Sequence, residues 1–480
     1  MNMLDLAPAI PEIFLLGMAC VVLLVDLFVA QEKRIITYVL TQATLLGAIA
    51  LTLMTAPDGA LHVFDGSFVR DEMGDILKIF IYIVSFGVFL YGRDYLEDRQ
   101  IHRGEYYVLG LLAVLGMAVL VSGHSLLNLY LGLEILSLSM YALVAFNRNS
   151  AAASEAAMKY YVLGAIASGM LLYGMSIIYG LTGSLDLAQI SKRITEAMHV
   201  EGYRQAALLF ALVFIVAGIA FKLSMAPFHM WAPDVYEGAP TSVTVFVGSA
   251  PKIAAFAMAM RLLASGLGEL SSQWQGMLVA LAVLSIGIGN VVAIAQTNIK
   301  RMLAYSTVSH VGFIALGILA ATKSGYVSAM FYTIVYAFTT LGAFGVILLL
   351  SHKGAEADRL DDFKGLNETH PWIAFIMLLL LASMIGIPGT AGFVAKLSVL
   401  QAVLGVHKVG LAIYAVLLSV VGAYYYLRVM WYMYFEKPQA EMSINGKLDV
   451  NLALSANGLL MLLVGIFPGL LMSMCIVTLQ

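Results

Sequence analysis

The chain has 480 residues, of which 61% are hydrophobic and only 11% are charged. About a quarter of the residues of a soluble globular domain are charged, so this composition excludes a soluble protein. The formal net charge of −3 gives no electrostatic basis for binding nucleic acid. The two cysteines, Cys20 and Cys475, lie far apart inside apolar runs and cannot form a metal–thiolate motif.

Apolar stretches recur along the whole sequence, and each is close to the roughly 20 residues that a helix needs to cross a membrane. We predict an all-α polytopic membrane protein, a single membrane domain of residues 1–480, with about 14 transmembrane helices. The predicted spans are 11–30, 35–55, 74–92, 106–121, 126–146, 156–181, 206–225, 241–263, 276–295, 302–321, 325–350, 371–400, 409–435 and 449–476. We expect the first to be a retained helix, because it lacks the basic segment and cleavage site of a signal peptide.

The distribution of loop cations predicts the orientation. Thirteen lysines and arginines lie in the loops after spans 1, 3, 5, 9, 11 and 13, namely Lys33, Arg34, Arg93, Arg99, Arg103, Arg148, Lys300, Arg301, Lys353, Arg359, Lys364, Lys437 and Lys447. The opposite loops hold six, namely Arg70, Lys192, Arg193, Arg204, Lys323 and Lys408. Because cytoplasmic loops carry the excess of Lys and Arg, both termini are expected outside the cytoplasm.

Four charged residues stand at the middle of predicted spans or beside helix-breaking sequence: Glu134, Lys222, Lys252 and Lys396. A charge at the centre of a span costs about 2.5–3.5 kcal/mol, so we expect these four to face the protein interior. A chain of such groups is typical of a proton relay, and a static ion pair is the alternative. By contrast, we expect Lys78, Arg261, Arg428 and Asp26 to snorkel or anchor near an interface, while Lys159 is ambiguous.

Two spans are interrupted. Pro227 breaks span 7 five residues after Lys222, and Gly386 and Pro388 interrupt span 12 shortly before Lys396. Interrupted helices in corresponding positions point to the transport site of transporters built from inverted repeats, although a purely structural kink is the alternative. We therefore predict two inverted five-helix repeats with broken helices 7 and 12. The predicted segments are N-terminal helices 1–3 (1–105), a first repeat (106–263), a second repeat (276–435) and a C-terminal helix 14 (449–476).

Polar side chains also line the second repeat. His310 lies one turn after Ser306 and Thr307 on span 10, and Tyr332 and Tyr336 lie one turn apart on span 11. This pattern suits a proton or water path, and a hydrogen-bonded core histidine is the alternative. The sequence contains no phosphate-binding glycine loop, dinucleotide fingerprint or cysteine cluster. We therefore predict no cofactor or metal site in this chain, and energy must arrive through a partner or an ion gradient.

Three segments resemble the antiporter-like membrane subunits of respiratory complex I, a bacterial NADH–quinone oxidoreductase. They are NLYLGLEILSLSMYALVAF, FKLSMAPFHMWAPDVYEGAP and QTNIKRMLAYSTVSHVG. The resemblance covers essentially the whole chain. Three features favour one of these subunits over its sisters. They are the segment around Glu134, the presence of Lys396 where a sister subunit has glutamate, and an end of the sequence after fourteen helices.

The resemblance assigns roles by position. Glu134 and Lys222 match an ion pair thought to switch during coupling, Lys252 a central lysine, and Lys396 the lysine of an exit half-channel. A secondary set matches polar residues along the same hydrated axis, namely Lys159, His229, Tyr305 and His310. We expect protons to pass from the cytoplasmic side near Lys222, through Lys252 and His310, to Lys396.

The resemblance also implies a division of labour. The flavin (FMN), the iron–sulfur clusters and the quinone site would belong to other subunits, and this chain would translocate protons in the bacterial inner membrane, with both termini periplasmic. The expected partners are neighbouring antiporter-like subunits, small membrane subunits, peripheral subunits and lipids, and no nucleic acid. Three alternatives stay open: a subunit of a multisubunit Na⁺/H⁺ antiporter, a subunit of a membrane-bound hydrogenase, and a non-pumping scaffold.

Overall fold

The computed structural model describes residues 6–57, 59–198, 203–351, 356–438 and 447–478. Two cations used for the orientation, Lys353 and the side chain of Arg204, lie outside these described parts. The N-terminal region contains α1 (Ile10–Phe28), α2 (Ile35–Met54), a hairpin of β1 (Leu61–Val63) and β2 (Phe68–Arg70), and α3 (Glu72–Asp98). The two strands pair antiparallel, and they are a small addition to the predicted all-α architecture.

The first predicted repeat is built from helices that follow one another through short connections. They are α4 (Gly104–Ser122), α5 (Leu126–Val144), α6 (Ala151–Thr182), α7 (Leu187–Met198), α8 (Tyr203–Leu223), α9 (Trp231–Gly238), α10 (Thr241–Gly248) and α11 (Ala250–Ala259). A π-helical segment, Met260–Gly266, continues α11. Spans 7 and 8 are therefore each divided into two helices, α8 with α9 and α10 with α11.

The second predicted repeat and the C-terminal region follow. Their helices are α12 (Ser271–Ile294), α13 (Ile299–Leu319), α14 (Lys323–Leu350), the short α15 (Leu366–Thr369), α16 (Pro371–Ile385), α17 (Ala391–Gly405), α18 (Val409–Phe435), α19 (Leu448–Ile466) and α20 (Gly469–Val477). The predicted span 449–476 is not continuous, because the chain leaves the helix at Phe467 and Pro468. Pro468 cannot continue the hydrogen-bond ladder.

Thirteen helices of the described chain are long and apolar enough to cross a membrane. The two shorter apolar helices α16 and α17 account for the remaining predicted span, which is broken as expected. The prediction of an all-helical polytopic membrane protein is confirmed. The helices of spans 8, 10 and 11 are buried over almost their whole length and form the centre of the molecule, whereas α18 and α19 expose large apolar side chains.

The first two helices of each predicted repeat pack in the same way. A Cβ atom on Gly116 of α4 would lie 2.5 Å from the backbone nitrogen of Leu136 on α5. By the same measure, Gly132 on α5 and Gly289 on α12 are 2.6 Å from a backbone nitrogen of the partner helix, and Gly312 on α13 is 3.1 Å from one. Only glycine permits such a backbone approach. The same type of contact therefore recurs between the first two helices of each predicted repeat.

Lys78 and Arg261 do not snorkel to an interface, because both are buried in ion pairs. Lys78 is fully buried, and its Nζ lies 3.1 Å from a carboxylate oxygen of Glu12 and 3.1 Å from one of Asp75. Arg261 is also buried and donates to both oxygens of Asp71, at 2.6 and 2.7 Å. The pair of Lys78 with Glu12 joins α3 to α1. The pair of Arg261 with Asp71 joins the π-helical end of span 8 to the residue that caps the start of α3.

Asp26 and Arg428 act as anchors, as expected. Asp26 accepts from Arg34 at 2.5 Å and from Thr37 at 2.8 Å, which joins the first two helices. Arg428 on α18 donates to the carbonyl oxygens of Ile294 and Gln296, at 3.0 and 2.7 Å. The carbonyls at the end of α12 therefore gain a charged donor.

Candidate functional site: a buried lysine relay at two helix breaks

The break in span 7 is held together by Lys252. Helix α8 ends at Leu223, and Ser224 follows with φ of 68°, in the left-handed region. Lys252 Nζ donates to Ser224 Oγ at 2.7 Å and to the carbonyl oxygens of Leu223 and Lys222 at 3.2 and 3.4 Å. The last carbonyls of a helix lack partners within the helix and carry partial negative charge. The ammonium group of Lys252 therefore replaces the missing backbone donors.

Trp231 completes the enclosure of Lys252. Its indole nitrogen donates to the carbonyl oxygen of Phe221 at 3.0 Å, and its ring lies 5.2 Å from Lys252 Nζ. A cation over the face of an indole ring is stabilised by the ring quadrupole. The cavity that Lys222 and Lys252 line has a volume of about 20 Å³, which is enough for roughly one water molecule.

A second break, which the sequence analysis missed, lies directly before Lys252. Span 8 was predicted as one helix over 241–263, but α10 ends at Gly248 and Ser249 has non-helical backbone angles. Pro251 stands at the start of α11 and cannot donate to the preceding turn. Ser249 Oγ donates to the carbonyl oxygen of Val245 at 2.6 Å. Lys252 therefore lies at two interruptions, the end of α8 in span 7 and the end of α10 in span 8.

Lys222 contacts α5 one helical turn after Glu134, and the two charged groups have separate partners. Lys222 Nζ donates to Ser137 Oγ at 2.5 Å. Glu134 accepts a hydrogen bond from Ser168 on α6. Glu134 and Ser137 both belong to α5, where residues three apart are neighbours on one face. The structure therefore brings Glu134, Lys222 and Lys252 into one group, in which each charged side chain is bonded to its own serine hydroxyl.

The break in span 12 has a different arrangement. Helix α16 ends at Ile385, and Gly386 follows with φ of 89°. Lys396, on the second half-helix α17, donates to the carbonyl oxygen of Ile385 at 2.8 Å and to Ser419 Oγ of α18 at 2.7 Å. Lys396 lines a cavity of about 320 Å³ together with Phe313 and Ser419. Among the described residues it forms no ion pair.

His310 is buried between two tyrosines. Its Nδ1 lies 2.7 Å from the hydroxyl of Tyr332, and its Nε2 lies 3.0 Å from the hydroxyl of Tyr426 on α18. Tyr426 also contacts Ser306 through a hydrogen bond, and Tyr336 donates to Thr307 at 2.7 Å. The predicted polar stripes of spans 10 and 11 therefore meet at two hydrogen bonds, one between His310 and Tyr332 and one between Thr307 and Tyr336. Hydroxyl and imidazole groups can both donate and accept protons.

The remaining predicted residues divide into two groups. The rings of His229 and Tyr305 contact each other edge to face, with centroids 6.1 Å apart, between the two halves of the molecule. Lys159 lies apart from the buried groups. Its side chain is 43% exposed and pairs with Glu155 at 2.8 Å and Asp234 at 2.9 Å. Lys159 is therefore part of a surface ion network, to which Arg301 is joined through Asp234 at 2.8 Å.

Sequence reasoning missed the hydroxyl partners of the charged groups. They are Ser168 near Glu134, Ser224 near Lys252, Ser419 near Lys396 and Tyr426 near His310. Ser419 and Tyr426 are seven residues apart and share one face of α18, so a helical stripe was an available signal. In the parts of the chain that the structure describes, no group of acidic residues, histidines and cysteines could hold a metal ion.

The sequence profile of a known family matches residues 123–422, which include the breaks in spans 7, 8 and 12 and all the charged groups of the site described above. That family is the membrane part of NADH:quinone oxidoreductases and Mrp antiporters. The chain belongs to this family. The profile ends within α18, so the match spans most of the two predicted repeats.

Relatives within the family cover nearly the whole chain. NADH-quinone oxidoreductase subunit N of Thioalkalivibrio sulfidiphilus is 60% identical over 471 residues, which are 98% of this chain and 97% of the relative. A chain of respiratory complex I from Thermus thermophilus with bound aureothin has a TM-score of 0.82 and 30% identity, and the match covers 96% of this chain and 98% of that one. A chain of the Mrp complex from Dietzia sp. has a TM-score of 0.86 and 21% identity, covering 100% and 97%. The last likeness concerns the fold alone.

Proposed function

We propose that this chain is the proton-translocating subunit N of a bacterial NADH–quinone oxidoreductase. The oxidation of NADH and the reduction of quinone take place in other subunits of the complex, which hold the flavin and the iron–sulfur clusters. The observation that carries the proposal is the set of lysines at membrane depth beside two broken helices, each held by a backbone carbonyl or a serine hydroxyl. The 60% identity to a subunit N over 98% of the chain supports this choice within the family.

The proposed relay comprises Glu134, Lys222, Lys252, His310 and Lys396. Lys222 and Lys252 converge on the break in span 7, because Lys252 donates to the carbonyl oxygen of Lys222. Protons would then pass through the His310 network to Lys396, whose cavity of about 320 Å³ suits the exit half-channel. Irregular backbone at membrane depth is tolerated where it is buried or lines a wet cavity, and both breaks fit that condition.

The secondary residues have unequal support. His229 and Tyr305 contact each other beside the break in span 7, which is consistent with a place on the path. Lys159 is exposed and paired with two carboxylates, so it contributes at most at the mouth of the path. We propose that this mouth faces the cytoplasm and that both termini lie on the periplasmic side, as the excess of cations in the loops after odd-numbered spans predicts.

The proposed partners are the other membrane and peripheral subunits of the complex, with lipid around the exposed helices. The first experiment is to purify a tagged version of this chain from the native membrane. We expect flavin absorbance, iron–sulfur signals and NADH–quinone activity to co-purify with it. Co-purification with the subunits of a cation/proton antiporter, or with hydrogenase subunits, would overturn the assignment in favour of one of those alternatives.

A second experiment separates a relay from a scaffold. In the assembled complex, Lys222→Ala and Glu134→Ala should both lower NADH-driven proton pumping, because each removes a charged group of the relay. A scaffold role predicts that both variants assemble and pump at the wild-type rate.

A further inference from the structure

Glu134 and Lys222 do not pair with each other in the structure. The carboxylate of Glu134 accepts a hydrogen bond from Ser168, and the ammonium group of Lys222 donates to Ser137 at 2.5 Å. The two serines lie on different helices, Ser168 on α6 and Ser137 on α5. The two charged groups are therefore held apart by two separate hydroxyl groups.

A paired arrangement of the same residues is within reach. Glu134 and Ser137 are three residues apart on α5, so their Cβ atoms are about 5–6 Å from each other. The ammonium group that now contacts Ser137 therefore stands one turn from the carboxylate. Rotation of the Glu134 side chain away from Ser168 and toward Ser137 would bring the carboxylate closer to the ammonium group of Lys222.

We propose that Ser168 is a positioning residue that holds the Glu134 carboxylate away from Lys222 and so favours the unpaired state of the relay. The inference rests on the proposed function and adds a residue on α6 to it. Tyr130, one turn before Glu134 on α5, lies beside the same contact, with its hydroxyl 3.5 Å from Ser168 Oγ. Ser168 and Tyr130 thus form the polar surroundings into which the carboxylate withdraws.

The expected size of the effect follows from the type of bond. A hydrogen bond to a charged acceptor is roughly twice as strong as one between neutral groups. Removing the Ser168 hydroxyl should therefore shift the balance between unpaired and paired Glu134 by about tenfold or more toward the pair. Because a relay must form and break this ion pair in each cycle, a tenfold shift toward the paired arrangement should slow proton transfer.

The first measurement is infrared difference spectroscopy of the whole complex, in which Glu134→Gln identifies the carboxylate band of Glu134. Ser168→Ala should shift that band, and Ser168→Thr, which keeps a hydroxyl group, should restore its position. Ser176→Ala is the matched control, since Ser176 is exposed and lies two turns further along the same helix. A band that does not move in Ser168→Ala would overturn the proposal, because the hydrogen bond would then not exist in the complex.

The second measurement is NADH-driven proton pumping by the same variants in liposomes. We expect Ser168→Ala to lower the initial rate by about threefold or more at an unchanged amount of assembled complex. Ser168→Thr and Ser176→Ala should pump as the wild type does. If Ser168→Ala moves the band but pumps normally, Ser168 has no positioning role. If Lys222→Ala also pumps normally, the proposed function itself fails, and the two failures are thereby distinguished.

Discussion

The breaks in spans 7 and 12 both leave helix-end carbonyls without backbone partners, and a lysine bonds those carbonyls in each case, but the lysines come from different places. At the break in span 7, the free carbonyls of α8 are bonded by Lys252, which comes from the neighbouring span 8, and Lys222 contacts α5 one turn after Glu134. At the break in span 12, the carbonyl of Ile385 is bonded by Lys396 of the same span. Among the described residues, no carboxylate pairs with Lys396.

The space around the two lysine groups differs as well. The cavity beside Lys222 and Lys252 measures about 20 Å³, whereas the one beside Lys396 measures about 320 Å³. The break in span 7 is therefore suited to proton transfer between charged side chains that are shielded from water. The break in span 12 is suited to exchange with an aqueous path or with a group from a partner. One repeat-built architecture thus accommodates two local electrostatic environments.

The largest effect is expected at the closed site. Lys252→Met removes the donor for the carbonyls of Lys222 and Leu223 and the central group of the relay. A positioned proton-transfer group typically contributes at least about a hundredfold in rate, so the initial rate of NADH-driven acidification should fall by a similar factor. Lys192→Met, at an exposed position on α7, is the control and should pump normally. Normal pumping by Lys252→Met would show that Lys252 is not part of the relay.

The difference in space can be tested with cysteines. In a background with Cys20 and Cys475 replaced by alanine, Lys396→Cys should react with a small water-soluble thiol reagent at least about tenfold faster than Lys252→Cys. The reason is that Lys396 borders the large cavity, while Lys252 is 1% exposed. Labelling is followed by mass spectrometry. Equal labelling rates would show that the two sites do not differ in access.

The histidine network between the breaks should have a smaller effect. Tyr426→Phe removes the hydroxyl that contacts His310 Nε2 at 3.0 Å and also bonds Ser306. One hydrogen bond of this kind is worth about 1 kcal/mol. We therefore expect proton pumping to fall by about fivefold, with NADH oxidation by the uncoupled complex retained. Tyr424→Phe, at an exposed position on the same helix, is the control. Equal pumping by both variants would place Tyr426 off the path.

The smallest effect concerns a histidine outside the membrane-spanning helices. Burial, with His62 alongside at 4.7 Å between ring centroids, lowers the pKa of His124 below its usual value. Below that usual value of about 6.5, the unfolded chain binds a proton that folded His124 does not, so stability falls as the pH is lowered. His124→Gln should reduce the loss of thermal stability between pH 7.5 and 5.5 by roughly 1–2 °C. Pumping at pH 7.5 should be unaffected, and a large loss there would link this histidine to the relay.

Much of the framework was predictable because composition and breaker residues act locally. Apolar runs located the membrane helices, and Pro227 and Gly386 located two breaks. The interruption at Ser249 was missed although Pro251 signals it, because apolar residues continue on both sides. That error shows that a proline inside an apolar run deserves the same weight wherever it occurs.

Partners across the chain could not be predicted from spacing. Lys78 pairs with Glu12, 66 positions away, and Ser168 bonds Glu134 from another helix. Only the packing of helices decides which residues of distant segments meet. The sequence therefore indicated which charges are costly in a membrane, but not that Lys78 is neutralised locally while Lys396 forms no ion pair among the described residues.

The central claim is that both breaks belong to one proton path. The most direct test is the number of protons pumped per NADH by the complex in liposomes carrying Lys222→Met, Lys396→Met or both. A single path predicts that the double variant pumps as many protons per NADH as the poorer single variant, because a path that is already blocked at one point is not affected by a second block. Losses that add up in the double variant would contradict the account, as would an unchanged ratio in either single variant.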